Sequence, residues 1–566
     1  MSIRFEKAFY SIPFKGLLLA GGLLLAQPMD ASGDLQPRPG DPLPGLTQSQ
    51  LDRFFAGLDA YQFNLTEEDG LGPIFNQTSC AACHNNPVGG PGSQFVTQFG
   101  RLGAKGGFDP LDHLGGGLLQ AQSINEDCAE VIPAEANVTT LRVTPGTLAY
   151  GLVEAIADAD LLAVRDAQAA SIRGEARMVL PLEAPAGPER VGRFGWKAQI
   201  ATVESFSADA ALNEMGMTNA LLMDEIAPQG DESLIDLCDD VADPEDPPDG
   251  ASETFVQRVT DFQRYLAPPP QTPRSGMSGE LIFEQIGCSA CHVPSFMTRD
   301  DPALEDAIRN IEIRPYGDFL LHGMGLAGDG IQDGTASGTE IRTPPLWGLR
   351  YRNPIWHDGR FSSGSFEDRV TFAIYEHGLL ASQGIDTLQA FVALDAQEKS
   401  LLIQFLDSLG RVEFDSDGSQ LIDWSDVFGS DDGVGIQECF GLPCSPDDVC
   451  AIHDVNQDGI VDQDDLPLFV EAFDEAIEDC NDNKHLDVTE IIQFPFLDVN
   501  RDGVLDVCGD CFADFDGSGA VEVNDVLTML GAWGTCGDPC PEDLNADGVV
   551  AVDDMLALLA LWGDCP

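Results

Sequence analysis

The sequence predicts a mainly α chain with long loops: two small helical modules followed by acidic loop-and-helix repeats. Two C-x-x-C-H pentads, at Cys80–His84 and Cys288–His292, sit far apart and each nucleates one module. D-x-N-x-D-G segments recur after Gly410, and the strong ones run into apolar stretches such as "LPLFVEAF", "VLTMLGAW" and "MLALLALW". The 59 Gly and 36 Pro among 566 residues require long irregular connections. That length exceeds a single core. The expected order is an export signal over 1–31, a first module over 45–266, a second over 275–412, acidic repeats over 413–510 and a terminal unit over 511–566.

The N-terminus places Arg4, Lys7 and Lys15 before the apolar run Gly16 to Ala26, with small residues at Ala26 and Ala31. Basic, then apolar, then small is the order of a secretory signal. Eleven apolar residues are too few to span a bilayer. The chain is therefore expected to act in the periplasm or outside the cell, where its 15 cysteines can hold disulfides.

The formal charge is −66, from 29 basic and 95 acidic residues. This excludes a nucleic-acid binder that works by neutralising phosphates. The charge is concentrated in the tail, where 38 acidic residues from Glu413 onward face only Lys484 and Arg501. Such a segment repels itself unless cations bind it.

Each C-x-x-C-H pentad has the spacing of c-type haem attachment. Two thiols reach the two vinyl positions of one porphyrin, and the adjacent imidazole lies over the iron. The attachment residues are Cys80, Cys83 and His84, then Cys288, Cys291 and His292. Structural zinc would place its two C-x-x-C pairs closer together, and a thioredoxin-like motif would need only one pair beside a βαβ unit. Two covalently bound haems are the reading.

The stretches "GLGPIFNQTSCAACHNNPVGG", "GRFGWKAQIATV", "NEMGMTN", "LIFEQIGCSACHVPSF", "DFLLHGMG" and "IRTPPLWGLRYRNPIWHDGRF" closely resemble the bacterial di-haem oxidoreductases. These are peroxidases, some labelled thiol oxidoreductases, related to di-haem cytochrome c peroxidase and the MauG type. The likeness runs from about Gln62 to Gly410 in the family's motif order. It implies two cytochrome c-like modules and peroxide chemistry.

The sixth ligand decides what each iron does. In the peroxidase relatives that of the C-terminal haem falls where "AIYEHG" lies here, usually as Met. His377 occupies this place and is the expected distal ligand, a change that lowers the potential. His322 and Met324 in "LLHGMG" are alternatives, and His357 in "WHDG" is a hydrogen-bonding group beside the haem. No His or Met follows the first pentad before His113. An open or water-bound first iron is expected, with Met215 and Met217 as candidates otherwise. Glu154 and Glu214 are candidate acid/base groups, though an ordinary helix-surface carboxylate is the favoured reading for each. Trp196 is a candidate electron bridge or a core residue. Cys128 and Cys238 are left to pair as a disulfide.

In the tail, Asp454, Asn456, Asp458, Ile460, Asp462 and Asp465 occupy positions 1, 3, 5, 7, 9 and 12 of a calcium loop, with Gly459 at the turn. Asp514, Asp516, Ser518, Ala520, Glu522 and Asp525 repeat the pattern. Asp543, Asn545, Asp547, Val549 and Asp554 do so again with Ala551 at position 9. A weaker copy begins at Asp479, and "DVNRDGVLDVCGD" from Asp498 is degenerate. Calcium is the expected ion. The last two strong copies are 29 residues apart and end in "GAWGTC" and "ALWGDC". They resemble dockerin domains of the type bounded by Gly-Cys, and the Cys-rich loops before them resemble thrombospondin type 3 repeats. A dockerin implies a cohesin-like or cell-surface anchoring partner. Nine tail cysteines, an odd number, leave one free or paired between chains.

Three functions follow as expectations. The first is an exported di-haem peroxidase-like oxidoreductase, taking electrons from an external donor and anchored by a calcium-loaded tail. The second is a non-catalytic electron-transfer cytochrome. The third is mainly an adhesion module.

Overall fold

The computed structural model describes residues 35–273, 276–430, 433–481, 483–508, 513–535, 540–544 and 548–564. The expected signal, 1–31, and the loop residues Asn545 and Asp547 lie outside the described residues.

The architecture is mainly helical, with no closed sheet among the described residues. Helix α1 (Gln48–Gln62) starts at Thr47, whose side chain and that of Gln50 form a reciprocal cap. The short helix α2 is Cys80–Cys83, the first pentad itself, capped by Ser79. Helices α3 (Tyr150–Ala155), α4 (Val203–Met215) and α5 (Phe255–Tyr265) complete the first half. Helix α1 crosses α5 at Gly57, where a Cβ would stand 2.4 Å from the Arg258 carbonyl oxygen.

In the second half, α6 (Ser278–Gln285) precedes the second pentad. It is followed by α7 (Phe366–Glu376), α8 (Ile385–Ala393) and α9 (Ala396–Ser408). Their apolar faces bury Phe283, Val370, Phe391, Leu402 and Phe405 in one core.

The first half also holds an antiparallel sheet that the pentads did not signal. Strand β1 (Phe95–Leu102) pairs with β2 (Phe108–Asp109), β3 (Leu118–Leu119) and β4 (Val138–Val143), the last in register from Phe95 opposite Val143 to Gly100 opposite Val138. Alternating β-branched residues in "VTTLRV" suit this half-buried strand.

The two halves share their largest core. Leu152, Ile156, Phe194 and Val203 pack with Phe296, Ile313, Phe319 and Trp347. The Pro-rich stretch from Asp243 is part buried and part exposed: Asp246 is 5 % exposed and accepts the backbone N–H of Phe255 and Val256 at the start of α5, whereas Pro247 and Pro248 are exposed. The stretch from Ala267 to Pro270 is buried, with Ala267 in the shared core.

Two further cores follow. One gathers Val412, Phe414, Val461, Phe469 and Ile491, joined by Tyr351. The other gathers Ala513, Val521, Met529, Val550 and Leu558. In this last unit α10 (Val523–Gly531) and α11 (Val552–Ala560) are related by the 29-residue duplication. Ala520–Val521 pairs with Gly563–Asp564, and Gly534–Thr535 with Val549–Val550, so each copy completes the other's two-stranded ribbon. Among the described residues no helix is long and apolar enough to cross a membrane.

Candidate active site

One turn of helix sets the geometry of the first pentad. The Ala82 N–H is capped by the Ser79 hydroxyl, and the His84 N–H donates to the Cys80 carbonyl at 3.0 Å. Both thiols therefore project from one turn with His84 at its end. The thiols of Cys80, Cys83, Cys288 and Cys291 are unpaired. Burial pushes Cys80 up to about 12, Cys83 to about 11 and Cys288 to about 12, so these thiols are not thiolates at neutral pH. Burial also lowers His84 and His292 to about 4, keeping both imidazoles in the neutral state a metal requires.

The second pentad faces a cavity of about 270 Å³. His292 donates its Nδ1–H to the Tyr316 carbonyl at 3.1 Å. His377, at the end of α7, donates its Nδ1–H to the Ala373 carbonyl at 2.8 Å. These bonds select the tautomers that leave both Nε2 lone pairs free. Both rings line the cavity, their centroids 6.3 Å apart and their planes at 62°. Two metal–nitrogen bonds of roughly 2 Å plus two ring radii of about 1.1 Å come to that separation. His322, the alternative, has both nitrogens engaged: Nε2 with Asp318 at 2.9 Å and Nδ1 with Gln383 at 3.2 Å. Burial works against its charge, but the Asp318 hydrogen bond raises it to about 10. Met324 lines the same cavity.

Trp196 stands on the cavity wall, donating Nε1–H to the Val143 carbonyl at 3.0 Å. The next residue, Thr144, hydrogen-bonds the Cys83 thiol. The Trp196 ring stands 6.3 Å from the ring of His357. His357 is 2 % exposed and donates Nε2–H to the Ala327 carbonyl at 2.8 Å.

The two carboxylates sit in different places. Glu214 is next to the first pentad: it accepts from Asn76 Nδ2 at 2.8 Å, raises the Cys83 thiol, and is itself raised by burial. Glu154 is tied up in the fold. Its carboxylate accepts the Val203 N–H at the start of α4 at 2.6 Å and pairs with Arg264 at 3.4 Å, away from the cavity lining. Met215 and Met217 are buried in the core that packs against Cys80, whereas His113 is on the surface. The expected disulfide Cys128–Cys238 is formed, as are Cys439–Cys450 and Cys480–Cys508.

Sequence reasoning missed the acid-binding wall of the cavity. Arg342, 4 % exposed, donates to the Gly195 and Thr343 carbonyls, and Arg352 donates to the Trp347 carbonyl. The two guanidiniums repel one another beside Tyr150, and neither has a carboxylate ion-pair partner among the described residues. The signal available was the three arginines in "IRTPPLWGLRYR", Arg342, Arg350 and Arg352, within so acidic a chain.

A macrocyclic group fits this cavity. The Tyr150 hydroxyl, Trp356 Nε1 and His357 Nδ1 are buried on its wall with no hydrogen-bond partner. A buried and a half-buried arginine, Arg342 and Arg352, suit a flat apolar ligand that carries two acid groups. Unpaired thiols and free imidazole nitrogens supply attachment and ligation.

In the tail, four loops share one hydrogen-bond pattern. The carboxylate at position 1 accepts the N–H of position 6, as in Gly459 to Asp454 at 3.0 Å, Gly519 to Asp514 at 2.7 Å and Gly548 to Asp543 at 2.7 Å. The carboxylate at position 12 accepts the N–H of positions 2 and 9, as Asp465, Asp525 and Asp554 do. The fourth loop, Asp415–Asp426, was missed by sequence reading. Gln420 donates its N–H to Asp415 at 3.0 Å, and Asp426 accepts from Ser416 and Asp423. Asp417, Ser419 and Asp423 fill the places between. Gln420 takes the left-handed conformation (φ 69°) that Gly takes in the strong copies, and this substitution hid the motif. Asp458, Asp462 and Asp464 have oxygens within 4.8 Å of one another, as do Asp514, Asp516 and Asp525, and Asp415, Asp417 and Asp426. One oxygen of Asp454 is buried without a partner.

A helical frame carries two C-x-x-C-H sites, and a cavity lined by the imidazoles of His292 and His377 lies beside one of them. Residues 129–409 match the family model described as "Di-haem oxidoreductase, putative peroxidase". Over that stretch the chain is similar to the di-haem oxidoreductases, a likeness that points to peroxidase-like enzymatic activity. Among solved structures, a MauG-like protein associated with microbial copper homeostasis is 17% identical, with a TM-score of 0.31 over 66% of this chain and 92% of that one. The hydrazine synthase of Kuenenia stuttgartiensis is 12% identical, with a TM-score of 0.28 over 71% and 99%. No curated protein matches the chain.

Proposed function

We propose that the protein is an exported di-haem c peroxidase, with haem held at Cys80, Cys83 and His84 and at Cys288, Cys291 and His292, and tethered through a calcium-loaded tail. The imidazoles of His292 and His377, with both Nε2 lone pairs free, carry this reading. When bound, the haems supply the one-electron chemistry, the C-terminal one passing electrons from an external donor to the N-terminal one, where peroxide is reduced.

The chain's own residues divide the remaining work. His292 and His377 would hold the second iron, which would reserve that module for electron transfer. His84 stands alone at the first, where Met215 and Met217 are committed to the core. Glu214 is the carboxylate placed to carry a proton near the first iron, and burial raises it toward the operating pH. Trp196, on the cavity wall, would pass electrons between the two sites. Arg342 and Arg352 neutralise the acid groups of the macrocycle.

Optical spectra test the reading. One low-spin haem and one high-spin ferric haem whose band shifts on adding peroxide are expected. Two low-spin haems inert to peroxide would instead make the protein an electron-transfer cytochrome.

The anchoring role is supported by two exposed apolar stripes related by the 29-residue duplication: Val523, Leu527, Leu530 and Trp533 on and after α10, and Val552, Leu556, Leu559 and Trp562 on and after α11. Each is between 47 % and 61 % exposed, a pattern expected of a partner-binding helix face. The expected partner is cohesin-like. Calcium-dependent capture of a surface partner should be lost when the chain is cut before Asp514. It should fall at least tenfold in Leu527→Asp/Leu556→Asp, and equal capture by the cut chain would rule the role out.

A further inference from the structure

Beside the second pentad, four separate stretches of chain meet in one polar cluster. Asp318 is fully buried and accepts three hydrogen bonds, from the Leu320 N–H at 3.0 Å, Gln168 Nε2–H at 2.7 Å and His322 Nε2–H at 2.9 Å. Gln168, also buried, donates to the carbonyl of Ala290 inside the pentad at 2.8 Å. His322 is buried as well, and its Nδ1 lies 3.2 Å from Gln383 Oε1 and 3.7 Å from the Cys291 sulfur.

The hydrogen bonds around His322 fix its protonation. Gln383 is oriented by backbone on both sides: its Oε1 accepts the Gly323 N–H at 2.8 Å, and its Nε2 donates to the Arg173 carbonyl at 3.2 Å. The atom that faces Nδ1 is therefore an acceptor. Nε2 faces a second acceptor, the Asp318 carboxylate. A neutral imidazole has one N–H and would set a lone pair against one of the two. Both nitrogens must carry a proton, so the ring is an imidazolium. Burial opposes that charge, and the Asp318 hydrogen bond outweighs it. His322 and Gln383 line the haem cavity, whereas Asp318 and Gln168 stand outside its lining. The pair thus turns its positive end to the cavity.

We propose that His322 is a fixed cation in the cavity wall that raises the reduction potential of the second haem, and that Asp318 and Gln383 are the positioning residues that hold it there. The inference rests on the haem assignment of the second pentad made above. Reduction adds one electron to the second iron from the external donor, with no bond made or broken. A fixed positive charge in a wall of low dielectric favours the state with less positive charge, which is the reduced one. Two imidazole ligands pull the potential down, so the cation offsets the choice of His377 over a thioether. The competing arrangement places the shared proton on Asp318, which would leave the pair uncharged and the potential indifferent to it.

The two are separated by a spectroscopic redox titration of the full-length holoprotein, following the low-spin band of the second haem. At the wild-type midpoint, His322→Gln should lower the reduced-to-oxidised ratio of that haem at least tenfold, a shift of about 59 mV for one electron. His322→Lys keeps a cation and should recover the wild-type value. Asp318→Asn/His322→Gln removes both charges and should stay below it. An unshifted midpoint in His322→Gln would overturn the proposal, and so would equal midpoints in the lysine and glutamine variants. Intact mass tells this failure from that of the haem assignment: two macrocycles with an unshifted midpoint sink the cation alone, whereas a wild type without the second macrocycle sinks both. Should the variants fail to fold, neutron diffraction from wild-type crystals in heavy water decides. Deuterons on both His322 nitrogens are expected, and a single one would overturn the proposal.

Discussion

The double substitution Cys288→Ser/Cys291→Ser is expected to carry one macrocycle by intact mass where the wild type carries two, and to lose peroxidase turnover altogether. Without its thioethers the second haem has only two imidazoles to hold it, and the electron entry point goes with it. The remaining haem at Cys80 and Cys83 should keep its high-spin band, so the loss is selective. His377→Met is a milder companion. It should keep both haems and raise the potential of the second, because thioether for imidazole favours the reduced iron. A double variant that still carries two macrocycles would remove the assignment of Cys288 and Cys291. An unaltered potential in His377→Met would remove His377 as ligand.

Calcium removal should have the second large effect, confined to residues 413–566. A loop that holds an ion at a hundred times its dissociation constant contributes about 2.7 kcal/mol, so emptying four loops exceeds the stability of a small core. The pH dependence should reverse with the ion. Burial raises Asp465 to about 6 and Asp426 and Asp506 to about 7 in the ion-free fold. Groups raised above their unfolded value of about 3.9 stabilise the fold below that pH, and the contribution is lost as pH rises toward 7. In EDTA the tail should therefore weaken between about pH 4 and 7. With calcium it should strengthen over the same range, because binding requires the ionised carboxylates. Far-ultraviolet dichroism against pH, with and without calcium, reads the sign. Equal profiles would remove calcium from the account.

Features set by short spacing were legible in the chain. Cys80 to His84 and Cys288 to His292 each form a single turn, so five letters carry the geometry. The loops from Asp454, Asp514 and Asp543 are likewise contiguous. The loop from Asp415 escaped because Gln420 takes a conformation that sequence rules reserve for Gly. The sheet around Phe95–Leu102 escaped because its pairing with Val138–Val143 is set by residues about forty positions away.

What the sequence determined by itself was the two C-x-x-C-H pentads, the acidic tail and a resemblance to the di-haem oxidoreductases from about Gln62 to Gly410. Only the tertiary structure showed that both nitrogens of His322 are engaged by Asp318 and Gln383 while His377 uses Nδ1 alone, because those partners come from other turns and segments. It alone put Arg342 beside Arg352 and brought Gln168 to Asp318. Local spacing encodes what one turn can present. Which distant charges share a low-dielectric pocket depends on packing between segments, and no window of sequence contains that.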